Sequence, residues 1–235
     1  RGLLLTREDS HMLTFSRRIS DEYSVRIRFS DRSDGDASRP TFLRGERSDL
    51  TVPSQAHGAE VFTVGRPGEG NGTACDALLT ACPGALIGVR TADCVPIAIY
   101  GVSFQNTPIV GVIHAGWRGI RAGVIDNAMQ QVRGHGAEHV RAIIGPHISP
   151  DHYEFGAVDL GEVVAVVGDK AVGYTKSGKL ALDLGAAVRE QLGRNSAIVD
   201  HHVCRCTAAD GRYWSHRADR DTQRSALIVD IKRSL

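Results

Sequence analysis

A short apolar run, Ile109-Val-Gly-Val-Ile113, leads through His114-Ala-Gly-Trp-Arg118 into a segment of helical period from Gly119 to Arg133. Within that segment apolar residues recur at every fourth position, which is typical of a helix with one buried face. Gly134 follows and predicts the end of this helix. A buried strand that runs directly into a helix favours an α/β fold.

Similar short runs rich in Val and Ile occur on both sides of this segment, and they have the appearance of buried strands. They are Glu60–Val64, Ala85–Val89, Val95–Tyr100, Val140–Ile144, Ala197–Val199 and Ser225–Ile231. Two further segments, Asp159–Val167 and Leu182–Leu192, have helical period. Many strands with a few helices between them predict an α/β (α+β) fold, arranged as a mixed-sheet α/β sandwich in a single domain.

The composition argues against several classes of protein. The chain has 235 residues, with 28 Lys and Arg against 27 Asp and Glu and a net charge of +1. It lacks the basic excess of dedicated nucleic-acid binders and of proteins held at anionic membranes, so we expect neither as a partner. Hydrophobic residues make up 42% of the chain, which is ordinary for a globular domain with its own core.

The N-terminus and the cysteines bear on processing and location. Ser10-His-Met12 resembles a cloning junction, so residues 1–11 are interpreted as an expression-tag remnant and residues 12–235 as the domain. No signal peptide is recognised, and no run reaches the ~18 apolar residues of a membrane-spanning helix. The five cysteines, an odd number, argue for a reducing compartment. We expect a cytoplasmic protein that is a monomer or a homodimer.

Three candidate metal ligands lie at strand edges or at junctions between strands and loops. His57 precedes Glu60–Val64, Cys94 lies between two apolar runs, and His114 follows Ile109–Ile113. One thiolate and two imidazoles form a three-ligand zinc set whose fourth tetrahedral position is open, as in catalytic sites. The spacing alone leaves an alternative open, in which the histidines cap loops and Cys94 is a small buried residue.

Two further segments attract attention. Gly116 and Gly119 flank a helix start beside Arg118 and Trp117, which suggests an anionic ligand with a planar ring. The alternative is a glycine-rich turn with the tryptophan in the core. The string Tyr213-Trp-Ser-His-Arg217 either lines a pocket or ends a strand.

A second metal site is a weaker hypothesis. Cys204 and Cys206 would face the same way in a strand, with His201 and His202 nearby. Motifs of α/β-hydrolases, P-loop enzymes and zincin proteases do not occur in the sequence. Those three classes of enzyme are therefore disfavoured.

Several motifs together resemble one known family. In chain order they are Gln55-Ala-His-Gly-Ala-Glu-Val61, Thr91-Ala-Asp-Cys94, His114-Ala-Gly-Trp-Arg-Gly119, Gly145-Pro-His-Ile148 with Tyr153-Glu154, and Cys206-Thr207 with Ser215-His-Arg217. They resemble the laccase-domain family, also known as purine nucleoside phosphorylases of this type or peptidoglycan editing factors. The resemblance covers residues 52–232. The chain departs from the family at His147, where a cysteine is frequent, and in the N-terminal region, where Glu46-Arg47-Ser-Asp-Leu50 has Glu in place of Asn.

The resemblance implies a zinc ion held by His57, Cys94 and His114. Copper is the alternative metal, because some members were first described as copper-dependent polyphenol oxidases. The implied activities are phosphorolysis of adenosine, inosine, guanosine and methylthioadenosine, with adenosine deamination as a second activity. A purine nucleoside and phosphate are therefore the expected partners.

Catalytic roles are expected of Cys94 and of three residues outside the metal set. Arg47 and Arg217 are candidates to bind phosphate or ribose through paired N–H donors. Asp93 either orients the metal site, accepts a proton or shapes a turn.

The same residues also support rival hypotheses. Cys94 activated by His114 would make a cysteine hydrolase or amidase that edits peptidoglycan precursors. A copper-dependent polyphenol oxidase with a blue-copper site would use a weak axial ligand, often Met, and the chain contains only Met12 and Met129. A metal-binding module without enzyme activity is the last alternative.

Overall fold

The computed structural model describes residues 12–46, 49–137 and 139–233, which form two large sheets, a small hairpin and five α-helices. The strands are β1 (Leu13–Arg18), β2 (Tyr23–Phe29), β3 (Leu50–Thr51), β4 (Val61–Val64), β5 (Ala77–Thr80), β6 (Leu86–Thr91), β7 (Val95–Val102), β8 (Pro108–Ala115), β9 (Arg141–Ile144), β10 (Val172–Tyr174), β11 (Leu180–Leu182), β12 (Ile198–His202) and β13 (Ser225–Arg233). The helices are α1 (Trp117–Ala122), α2 (Val124–Gly134), α3 (Ala157–Val167), α4 (Leu184–Arg194) and α5 (His216–Asp219).

Both large sheets are mixed. The first has the strand order β1-β2-β13-β6-β3, and the second has the order β12-β9-β7-β8-β5-β4. Strands β3 and β6, β4 and β5, and β9 and β12 are parallel neighbours, whereas the other pairs are antiparallel. Strands β10 and β11 form a separate antiparallel hairpin.

The second sheet is buried on both faces. Side chains such as Leu78 and Val112 pack against the first sheet, while Leu79 and Ile113 pack in the core shared with α1 to α4. A strand covered on both faces carries an unbroken apolar run rather than an alternating one, and this explains the run Ile109–Ile113. The predicted mixed-sheet α/β sandwich is confirmed.

Two local predictions were wrong. The segment Gly119–Arg133 is two helices rather than one, because Gly123 adopts a left-handed backbone with φ 85° that ends α1 and begins α2. His114 lies inside β8 rather than after it. The boundary of the domain at residue 12 stays a prediction, since residues 1–11 lie outside the described residues.

No helix in the described ranges has the length and apolar character required to cross a bilayer. The longest helices, α2, α3 and α4, have 11 residues each. A membrane-spanning helix needs about 20 residues.

Candidate metal centre

His57, Cys94 and His114 converge at one end of the strands of the second sheet. Cys94 lies in the turn before β7, and His114 faces the start of that strand because the register pairs His114 with Pro96. His57 comes from the loop before β4. Each residue offers one ligand atom, and these atoms lie within 4.8 Å of one another. The three side chains named from the sequence therefore lie together, and the site is a candidate for a metal ion.

A buried carboxylate, Asp76, organises this site. Its Oδ1 lies 2.8 Å from His114 Nδ1 and accepts the backbone N–H of His57 at 3.0 Å. Its Oδ2 accepts the N–H groups of Ala56 at 3.1 Å and Gly58 at 2.7 Å. Burial opposes ionisation, but the hydrogen bonds from His114 and Gly58 outweigh it and lower the pKa of Asp76. With Nδ1 bound to a carboxylate, His114 presents Nε2 to the metal site.

Asp76 was missed by the sequence analysis. It stands directly before β5, which is the antiparallel neighbour of β8, and the register pairs Ala77 with Ile113. An aspartate just before a strand was the available signal, but the strand Ala77–Thr80 was not predicted. The contact with His114 spans 38 positions in the chain.

The backbone around the ligands is specialised. His57 and Asp93 have φ values of 60° and 92°, a region that side chains other than glycine rarely occupy. A Cβ on Gly116 would lie 3.0 Å from Cys94 Sγ and 3.1 Å from the His57 ring. Only glycine leaves this space beside two ligands, so the cradle is built for a compact group between them.

Cys94 and His114 each shift the pKa of the other. Burial opposes charge on Cys94, but His114 and His57 outweigh it and lower the pKa of the thiol to about 6. Burial also opposes protonation of His114, but the Cys94 thiolate and the Asp76 carboxylate raise the pKa of the imidazole to about 9. The charged forms of the two groups therefore stabilise each other, and a metal ion bound here would replace the proton of the imidazole.

Asp93 connects the ligand-bearing turn to a distant part of the chain. Its Oδ1 accepts the hydroxyls of Thr207 and Ser215, both at 2.7 Å. Its Oδ2 accepts the backbone N–H of Arg217 at 2.7 Å. Both oxygens of this buried carboxylate are therefore engaged in fixing the segment that carries Arg217.

The ligands line a cavity of about 580 Å³. Arg217 and Arg118 also line it, as do Tyr153 and Asp93. Arg47 lies outside the described residues, so its predicted place near phosphate stays a prediction.

Trp117, for which the sequence left both a ligand-facing and a core position open, is partly buried and lines the cavity. The Arg118 guanidinium lies 4.3 Å from the ring centroid of Trp117, and that of Arg121 lies at 5.4 Å. Phe155 packs against the ring edge-on at 5.4 Å. Trp117 also packs against the core beneath the helices, so part of its ring supports the two arginines and part of it contributes to the cavity wall.

The second metal hypothesis finds no support among the described residues, where the single three-ligand group is the one around Cys94. Cys204 is exposed, and Cys206 Sγ accepts the backbone N–H of Ser149 at 3.2 Å. His147 and His202 instead stack on each other, with ring centroids 5.1 Å apart.

This histidine pair makes folding sensitive to acid. Burial, the neighbouring His147 and Arg189 lower the pKa of His202 from 6.5 to about 4, and burial lowers the pKa of His147 too. Both rings stabilise the fold as neutral groups, so the contribution is complete above pH 6.5 and is lost as the pH falls toward 4. His202→Asn keeps an acceptor for the Arg189 guanidinium, which lies 3.2 Å from His202 Nδ1, but it does not titrate.

We expect the free energy of unfolding to fall more steeply between pH 6.5 and 4 for the wild type than for His202→Asn, as measured by urea denaturation. The exposed His135 provides a control, because His135→Asn should leave the wild-type slope intact. Equal slopes for the wild type and His202→Asn would contradict the role of the stacked pair.

The fold and the site together characterise one class of protein. It combines a mixed α/β sandwich with a His-Cys-His group near the ends of the strands. The chain belongs to the family described as multi-copper polyphenol oxidoreductase laccase, whose family model matches residues 37–232. A relative from Mycobacterium tuberculosis, named purine nucleoside phosphorylase, is 35% identical over 182 residues, which are 75% of this chain and 70% of the relative. A relative of the same name from Xylella fastidiosa is 32% identical over 189 residues, with the same two coverages, 75% and 70%.

The fold is also found in a solved structure. YlmD from Geobacillus stearothermophilus superposes with a TM-score of 0.76 at 24% sequence identity. The match covers 97% of this chain and 99% of that chain. The two-sheet architecture is thus shared over nearly the whole length of both proteins.

Proposed function

We propose that the protein is a zinc-dependent purine nucleoside phosphorylase acting on adenosine, inosine, guanosine or methylthioadenosine, with adenosine deamination as a second activity. The observation that carries the proposal is the open set of His57, Cys94 and His114 in a cavity that arginines line. The names of the two relatives support the same reaction.

The donor set fits zinc, because thiolate and imidazole are its preferred ligands and three of them leave one position for a reactant. When bound, the ion would polarise an oxygen of phosphate or, in deamination, of water. A blue-copper site would use a weak axial ligand such as methionine. Met129 is buried on the core side of α2, and Met12 is buried in the core beside the first sheet. The residues therefore favour zinc over copper.

In phosphorolysis a phosphate oxygen forms a bond to the anomeric carbon while the glycosidic C–N bond breaks. The purine leaves with the bonding electron pair and takes up a proton. The role we assign to Arg217 is to neutralise the negative charge of phosphate as it approaches. Asp93 acts as a positioning residue in this scheme, because its oxygens already accept hydrogen bonds from Thr207, Ser215 and Arg217.

A second candidate function rests on the thiolate. A Cys94 pKa of about 6 beside a His114 pKa of about 9 is the pairing that activates a nucleophilic cysteine. The protein would then be a hydrolase or amidase that edits peptidoglycan precursors. The two functions exclude each other at this residue, because a thiolate that binds a metal ion is not free to attack.

The proposal also places the protein in the cytoplasm. All five cysteines are free thiols. Cys75 is buried in the core, and Cys94 is one of the candidate metal ligands. Free thiols persist in a reducing compartment, which supports this location.

We expect tag-free protein to contain about one zinc ion per chain and to release adenine from adenosine only when phosphate is present. The measurement combines elemental analysis with a chromatographic assay of adenine and of ribose 1-phosphate. Release of adenine without phosphate would indicate a hydrolase. A zinc-free protein that is fully active would support the cysteine nucleophile and overturn the proposal.

A further inference from the structure

We propose that Arg118 and Arg217, which line this cavity together with Tyr153, form its phosphate-binding site. This inference rests on the proposed function and deepens it by naming Arg118, which belongs to neither the metal set nor the Asp93 network. The ligand chemistry is a tetrahedral oxyanion, and we assign it to inorganic phosphate.

The charge of the cavity points to an anion. The described lining residues include the guanidinium groups of Arg118, Arg217 and Arg224. Asp93 is the one carboxylate among the same residues, and both of its oxygens accept hydrogen bonds from the protein. The positive charge is thus not balanced within the described lining, and an anionic ligand would balance it.

Arg118 has hydrogen-bond donors available for such a ligand. Its guanidinium rests over the Trp117 ring at 4.3 Å, and within the described part of the chain it forms no ion pair or hydrogen bond. Arg121, on the same helix and over the same ring, forms an ion pair with Glu162 and does not line the cavity. The two arginines therefore differ in the property that matters for binding an anion.

Arg217 also lines the cavity. Its guanidinium lies 4.6 Å from the ring centroid of Tyr153, and Nη1 donates to the carbonyl of Glu154 at 2.9 Å. The remaining N–H groups point to no carboxylate among the described residues. A guanidinium with several free N–H groups binds phosphate through paired hydrogen bonds.

The Tyr153 phenol lines the same cavity as the two arginines and the metal ligands. Burial and the Cys94 thiolate raise its pKa, whereas the positive charges of Arg217 and Arg118 act in the opposite direction. The hydroxyl is therefore within the field of all three groups and stays protonated at neutral pH. It can donate a third hydrogen bond to a phosphate held between the arginines.

Both arginines are tied to metal ligands. Arg118 follows His114 by four residues across the glycine cradle at Gly116, and Arg217 is joined through Asp93 to the turn that carries Cys94. A phosphate at this site would thus share the cavity with the three metal ligands. That is where the nucleophilic oxygen is needed in the proposed reaction.

The test is direct binding of inorganic phosphate to the zinc-loaded protein by calorimetry. We expect Arg118→Ala and Arg217→Ala each to raise the Kd about ten- to a hundredfold, the usual result of losing a charge-assisted hydrogen bond. Arg121→Ala should stay within about twofold of the wild type, because an exposed ion pair contributes little. In kinetic assays the KM for phosphate should rise for the first two variants by a larger factor than the KM for adenosine in deamination does.

The outcomes separate this inference from the proposed function. If the wild type binds phosphate through Arg118 but releases no purine base, the binding site stands and the phosphorylase function fails. If Arg118→Ala binds phosphate as tightly as Arg121→Ala does, the site is wrong. Binding of adenosine 5′-monophosphate tests the source of the phosphate group. If Arg118→Ala and Arg217→Ala lose more affinity for this nucleotide than for inorganic phosphate, our assignment is overturned. Zinc content and melting temperature confirm that each variant is folded.

Discussion

Asp76→Asn is expected to weaken zinc binding about ten- to a hundredfold, the range found when a carboxylate that supports a histidine ligand is lost. Four N–H donors surround the two oxygens of Asp76, two at each oxygen. An asparagine side chain would place its own NH₂ group against one of these donor pairs. The His57 loop and the His114 ring would both lose their fixed orientation.

The readout is the zinc affinity of the apoprotein, measured by competition with a chromophoric chelator. Asp230→Asn is the matched control, because Asp230 is equally buried but pairs with Arg26 in the first sheet. Both variants should be less stable, but only Asp76→Asn should bind zinc more weakly. Equal zinc affinities for the two variants would show that Asp76 does not support the metal site.

Cys94→Ser is expected to abolish zinc binding at micromolar concentrations of the ion and to reduce phosphorolysis and deamination together. A hydroxyl is a far poorer zinc ligand than a thiolate, and it does not ionise at neutral pH to pair with His114. Zinc content by elemental analysis and the two rates, measured on one preparation, test this expectation.

Cys204→Ser provides the control, since Cys204 is exposed and should retain zinc and both rates. A Cys94→Ser protein that keeps a full complement of zinc but is inactive would assign Cys94 to nucleophilic attack. That single result would replace the phosphorylase proposal with the cysteine hydrolase.

The metal ligands could be predicted because each lies at the end of an apolar run, where the chain leaves the sheet. Cys94 before β7 and His114 near the end of β8 are brought together by simple antiparallel pairing of consecutive strands. Asp76 could not be predicted in the same way. Its partner His114 lies on β8, which pairs with β5 although the two strands are not consecutive in the chain. No local sequence pattern encodes such a pairing.

The break between α1 and α2 shows a second limit. The apolar period continues through Gly123, so the sequence predicts one helix. The glycine adopts a left-handed conformation that starts a new helix. The spacing of apolar residues does not show which backbone conformation a glycine adopts in the folded protein. This break leaves Arg118 on a short helix of its own, directly after the metal ligand.

The network around Asp93 has a consequence for conformational entropy. The hydrogen bond from the backbone of Arg217 to Asp93 fixes the main chain at this position, and the bond from its Nη1 to the Glu154 carbonyl restrains the long side chain when the protein folds. Freezing such a side chain on binding usually costs about 0.5–1.5 kcal/mol. Here that cost is met before the ligand arrives, so Arg217 is preorganised and its contacts contribute more fully to affinity. Arg118, which among the described residues is held by the Trp117 ring without a hydrogen bond or ion pair, keeps more of its freedom until the anion binds.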